Sequence, residues 1–141
     1  MAGYPMTYLK VFLENAEYNE LESAPLAYTI AASMALKEAC QNAKVVLLEP
    51  FMLLEVTTPS DHAGEVISDI NSRRGKILSM GPKQNKELVK AIVPLSEMFG
   101  YSTQLRSKTQ GRGTFVMVFE KYEKVPMKQA KELLEKRGIY I

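Results

Sequence analysis

The sequence predicts an α+β protein whose larger part is ordered β-α-β-β-α-β, and three observations carry that prediction. Between residues 51 and 122 short runs rich in apolar, β-branched and aromatic residues recur at strand length. Two stretches between them repeat apolar residues at i, i+3 and i+4. Proline, glycine and asparagine mark the boundaries.

Phe51 to Thr57 (FMLLEVT) reads as the first of these strands. Thr58-Pro59-Ser60-Asp61 then offers a helix cap, a proline at the first helical position and an acid three residues after the cap. Ala63, Val66, Ile67 and Ile70 form the stripe of the following helix, Arg73 and Arg74 suit its carbonyl end, and Gly75 stops it. Lys76 to Met80 is a strand, Gly81 to Asn85 (GPKQN) a turn, and Glu87 to Val93 the returning strand of a hairpin. Leu95, Met98, Ser102, Leu105 and Thr109 fall at helical spacing, with Gly100 a weak point, and this helix ends near Gln110-Gly111. Thr114 to Tyr122 is the last strand, with Phe115, Met117 and Phe119 on one side and Val116 and Val118 on the other. This order specifies a ferredoxin-like domain: a four-stranded antiparallel sheet with both helices on one face.

The first part of the chain is less complete. Thr7 to Leu13 (TYLKVFL) alternates as a strand should. Ser23 is placed to cap a helix from about Pro25 to Gln41, with Leu26, Ala27, Ile30, Ala31, Met34 and Ala35 on one face. Val45 to Leu48 reads as a short buried strand closed by Glu49-Pro50. These elements are too few to close a core of their own. The expected domains are therefore 1–49, 50–124 and a helical tail at 125–141, in which Met127 to Arg137 forms a short helix packed loosely.

Composition narrows the function classes. The apolar share of 46% and charged share of 24% suit a globular chain rather than a disordered one. No run approaches a membrane span and the first residues lack the features of a secretory leader, so the expected location is the cytoplasm. The single Cys40 has no second Cys or His beside it for a metal site. His62, the one histidine, reads as a solvated helix-end residue, and Glu65 and Asp69 as surface carboxylates, with Asp69 paired to Arg73. Met52, Met80, Met98 and Met117 occupy expected core positions. No catalytic residue, metal ligand or phosphate-binding glycine motif is expected.

Charge is unevenly distributed. Residues 1–50 carry three Lys and six Glu, whereas residues 51–141 carry fifteen Lys or Arg and ten Asp or Glu. A polyanion would meet the second part. Arg73, Arg74 and Lys76 close the first helix of that part, while Arg106, Lys108 and Arg112 lie on the second helix and the loop after it. Side-by-side helices would bring these cations to one side of the domain, with Ser107 and Gln110 as neutral donors and Gly111 and Gly113 permitting close backbone approach. On these residues alone, a phosphate-contacting face and a helix C-cap with a solvated Arg112 stand as equal readings.

Several segments resemble one family. LEPFMLLEVTTP (48–59), GEVISDINSRRGKI (64–77), VPLSEMFGYSTQLRSKTQGRGTF (93–115) and FEKYEKVP (119–126) are similar to the C-terminal, fifth domain of bacterial elongation factor G. GYPMTYLKVFL (3–13) and SAPLAYTIAASMALKEA (23–39) resemble the latter half of its fourth domain, which is similar to the second domain of ribosomal protein S5. The resemblance implies a piece of a multidomain translational GTPase that binds the ribosome and drives tRNA and mRNA movement, or recycles ribosomes. The GTPase domain, with its GTP and Mg, would lie upstream, leaving no cofactor and no catalysis in this piece. The resemblance also implies partners: the sarcin-ricin loop and L11 stalk base of large-subunit rRNA, and the remaining domains of the factor. LRSKTQ would supply Arg106, Ser107 and Gln110 to rRNA, and Arg73, Arg74, Lys108 and Arg112 join them on charge alone. ENAEY (14–18) departs from the family, which often has an Asp-Gly turn, an aromatic and a histidine there, and Leu53-Leu54 stands where a more polar residue is common.

Overall fold

The structure is a computed structural model and describes residues 3–138. The chain forms two compact units, one made of the residues up to Val46 and from Pro126 onward, the other of Leu47–Val125.

The second unit holds a four-stranded sheet in the order β2-β3-β1-β4, built from β1 (Leu48–Thr58), β2 (Lys76–Lys83), β3 (Lys86–Pro94) and β4 (Thr114–Lys124). Every neighbouring pair is antiparallel. Helices α2 (Ala63–Ser72) and α3 (Tyr101–Lys108) follow β1 and β3, which completes the β-α-β-β-α-β order of a ferredoxin-like α+β domain. Alternation chooses the covered face: Leu54 and Val56 of β1, with Val89, Ala91 and Val93 of β3, meet Val66 and Ile70 of α2 and Met98, Tyr101 and Leu105 of the α3 region in one buried cluster. Tyr101 meets Phe115 edge to face, with ring centroids 5.1 Å apart. Val116 and Val118 of β4, on the other face, are exposed.

Several boundaries differ from expectation for identifiable reasons. Glu49-Pro50 does not end a strand but lies inside β1, because the β3 ladder begins only at Phe51 and Pro50 pairs with β4 alone. Pro82 likewise extends β2, an edge strand, so the hairpin loop shrinks from the expected GPKQN to Gln84-Asn85. Thr58 is the last residue of β1 and fully buried, so it caps nothing; a 3-10 turn (Ser60–His62) precedes α2 instead. The run from Leu95 is not one helix, since Gly100 adopts φ 75° and separates a 3-10 turn (Leu95–Glu97) from α3. Met80, expected in the core, is more than half exposed on edge strand β2; Phe119 is likewise exposed on edge strand β4, where it packs on Tyr122.

The first unit contains α1 (Pro25–Asn42) and α4 (Met127–Glu135). Ser23 is not the cap: its Oγ accepts the Asn19 N–H at 2.7 Å, and the N-cap position falls on Ala24 without a side-chain bond. The stripe of α1 remains uncovered, with Leu26 69% and Met34 68% exposed. Thr7 to Leu13 does not form the expected strand, and none exists among the described residues of this unit. Its apolar side chains are solvent-exposed and Tyr8 has φ 57°: alternation shows how a strand would bury its face, but extended backbone persists only when a neighbour takes its hydrogen bonds. Val45 to Leu47 is irregular, with only Leu48 entering β1, although the Leu47 carbonyl accepts the Val125 N–H at 2.9 Å.

The join of α2 to β2 depends on a glycine for space rather than for backbone freedom. A Cβ on Gly75 would lie 2.5 Å from Ile70 Cγ2 and 2.7 Å from Val93 Cγ1. Gly75→Ala is expected to lower stability by about 1–3 kcal/mol in urea unfolding, through overpacking. Gly64→Ala, where the new Cβ meets nothing within 4 Å, is expected to raise it by about 0.5–1 kcal/mol.

Candidate nucleic-acid interface

The cations at the end of α2 are held within the fold. The backbone of Arg74 takes φ 60° and Gly75 N–H returns to the Ile70 carbonyl at 3.0 Å, so the left-handed residue that closes the helix end is Arg74, one before the glycine expected to stop it. That turn directs the Arg74 guanidinium onto Glu49, which it grips with both terminal nitrogens, and Ser96 Oγ–H donates to the same carboxylate at 3.2 Å. Glu97 stands 3.8 Å from Arg74 on the other side. The hydrogen bond to Glu49 pushes the Arg74 guanidinium further above its already high range, against the opposing effect of burial.

Arg73 is engaged as fully. Its Nε donates to Asp69 Oδ2 at 3.0 Å, the expected i,i+4 pair, and its Nη1 donates to the Glu97 carbonyl at 2.5 Å. The guanidinium carbon also lies 5.1 Å above the Tyr101 ring centroid. Burial, then the nearby Asp69 carboxylate, push the Tyr101 phenol well above its usual range, so the ring under Arg73 stays neutral. Lys108 Nζ reaches the other Asp69 oxygen at 3.6 Å.

At the far end of the seam between α2 and α3, Arg112 Nη2 lies 2.8 Å from His62 Nε2 and 3.6 Å from Asp61. His62, expected to be solvated, has a side chain only 13% exposed. Arg73, Lys108 and Arg112 are therefore strung along the helix-helix seam, with Arg74 at its end, each against an acid, a carbonyl or an imidazole. They do not gather into one open patch. Glu49 and His62 were not legible as partners of Arg74 and Arg112, because the contacts span 25 and 50 positions of sequence.

Arg106, Ser107 and Gln110 stand apart from that seam. Tyr101 and Leu105 turn the buried side of α3 to the core, which places 106 and 107 away from it at 100° per residue, and Gln110 lies in the turn just after the helix. All three are exposed, and no side-chain hydrogen bond or ion pair engages them among the described residues. Tyr101 to Lys108 contains no carboxylate, so this face offers a guanidinium, a hydroxyl and a carboxamide without an acid to repel phosphate.

The Gly-Arg-Gly loop fixes how that row ends. Gln110 takes φ 52° and Gly111 φ 74°, and Gly111 N–H closes on the Arg106 carbonyl at 2.8 Å. Gly113 serves a different purpose. Its N–H donates to the buried Thr109 Oγ1 at 2.9 Å, and a Cβ there would lie 2.8 Å from that same oxygen. One glycine is needed for its backbone angle and the other for close approach to Thr109, while Arg112 between them swings onto His62.

Among the described residues no three His, Cys, Asp or Glu side chains are grouped to hold a metal ion, and no helix is long and apolar enough to cross a membrane. Comparison with known proteins gives two family matches: the elongation factor G C-terminus over residues 46–133 and elongation factor G domain IV over residues 1–44. A solved crystal structure from Thermus thermophilus is similar at 39% identity and a TM-score of 0.77, over 88% of this chain and 19% of that one. The chain thus spans about a fifth of the length of that relative.

The two classes of arginine should separate in stability measurements. Arg74→Ala leaves the buried Glu49 carboxylate without its main partner and is expected to cost about 1–3 kcal/mol. Arg106→Ala is expected to stay within about 0.5 kcal/mol of the parent. Urea midpoints read both.

Proposed function

This chain belongs to the elongation factor G family, corresponding to part of its C-terminal region, and we propose that it is a ribosome-docking module that contacts large-subunit rRNA through the outward row of α3. The observation that carries the proposal is the division among the basic residues: Arg73, Arg74, Lys108 and Arg112 have partners in the fold, while Arg106, with Ser107 and Gln110, faces solvent. Arg106 is the cation for a phosphate, and Ser107 and Gln110 donate to phosphate or sugar oxygens. The seam cations strengthen the positive field behind them at longer range.

In this reading the module catalyses nothing and needs no cofactor of its own. GTP and Mg act in the GTPase domain of the whole cytoplasmic factor, whose hydrolysis drives tRNA and mRNA translocation or, in a recycling relative, ribosome splitting. The docked rRNA elements are the sarcin-ricin loop and the L11 stalk base.

Titration of a sarcin-ricin hairpin and a stalk-base RNA across a salt series tests the contact. Arg106→Ala is expected to weaken binding and make the slope of log affinity against log salt shallower by about 0.7–0.9. Gln110→Gly relieves the left-handed backbone and is expected to raise stability by about 1 kcal/mol while weakening RNA binding, a split that a purely structural residue does not produce. Unchanged affinity and slope in Arg106→Ala would remove this face from the docking role.

A further inference from the structure

Phe99 is the most exposed large aromatic residue of the sheet-bearing unit, at 83%, yet its neighbours are firmly placed. Met98 beside it is 7% exposed and Tyr101, two residues on, 2%. Met98 N–H bonds the Leu95 carbonyl at 3.1 Å, Tyr101 N–H bonds the Met98 carbonyl at 3.1 Å, and Gly100 between them takes φ 75°. The chain is anchored on both sides of a ring that it turns out to solvent. A single exposed apolar residue ordinarily needs no explanation; this one stands at the start of the helix whose outward row carries Arg106, Ser107 and Gln110.

We propose that Phe99 is a stacking platform for one unpaired base of the docked RNA. The inference rests on the docking role assigned to α3 and adds the kind of RNA feature it takes. Flat aromatic rings bind unstacked bases through their faces, whereas paired bases inside a helix are inaccessible to them. The surroundings favour a base over an apolar protein pocket. Ser102, Thr103 and Gln104, close by in sequence, are all exposed and polar, and their hydroxyls and carboxamide are available to base edges. The nearby Glu97 carboxylate is drawn toward Arg74, 3.8 Å away.

The test uses the full 141-residue chain and two RNA hairpins of equal length, one fully paired and one with a single bulged adenine replaced by 2-aminopurine. Phe99→Ala is expected to bind the bulged hairpin roughly tenfold more weakly and the paired hairpin unchanged. It should also lose the fluorescence change that the parent induces, and Phe99→Tyr should restore both. Equal losses on the two hairpins would overturn base stacking. So would no loss with Phe99→Ala while Arg106→Ala weakens both hairpins, a result that leaves the docking role standing. Weaker binding of purified ribosomes with neither hairpin affected would place the ring in a protein pocket and overturn the inference. If neither Phe99→Ala nor Arg106→Ala affects either hairpin, the docking role itself falls as well.

Discussion

The placement of α3 depends on two arginines that end α2. Arg74 turns left-handed there and reaches the Glu49 carboxylate at the start of β1, while Arg73 bonds the Glu97 carbonyl in the turn leading to α3 and covers Tyr101. Two stretches far apart in the chain are thereby tied to one helix end. A buried ion pair is weak as a source of net stability, since removing two charges from water cancels much of their attraction. Its strength is geometric: a guanidinium that grips both carboxylate oxygens tolerates little rotation or slippage, and the register of α3 against α2 inherits that restriction.

That scaffold also decides which charges are left to act outward. Asp69 draws in Arg73 and Lys108, Glu49 draws in Arg74, and Asp61 with His62 draws in Arg112. Four of the fifteen Lys and Arg of residues 51–141 are therefore engaged along one seam, and a residue count overstates the cationic surface that the two helices offer to a polyanion. Arg106 differs because the core-facing positions of an eight-residue helix leave it on the opposite side, beyond reach of those acids.

The order of elements in the sheet-bearing unit was legible because periods of two and 3.6 alternate there and turn residues fall between them. Fine boundaries were not, because a proline's effect depends on which side of its strand is paired: Pro50 and Pro82 extend strands where a neighbour lies on one side only. Thr7 to Leu13 shows the opposite failure, a strand pattern with no partner to complete it. The candidate site was legible as residue types at helical spacing. What remained hidden was the partner of each cation: only the Asp69–Arg73 pair lies within one helical turn, while Glu49 and His62 are brought in by the fold. The Gly-Arg-Gly loop was half legible, since the turn at Gly111 follows from residue type but the close approach of Gly113 to Thr109 does not.

Both helices of this unit end on a left-handed residue that is not glycine, Arg74 in one and Gln110 in the other. Each conformation costs about 1–2 kcal/mol relative to a glycine. For Arg74 the fold contains the compensation, because the same turn aims the guanidinium at Glu49. Gln110 has no such return: its side chain is exposed and unbonded among the described residues, and Gly111 beside it already accepts a positive φ without strain. Local rules broken without a structural gain concentrate where a side chain serves something outside the fold. Set just after Arg106 and Ser107, the left-handed Gln110 fits the docking role proposed for that face, at a position where a glycine would serve the fold better.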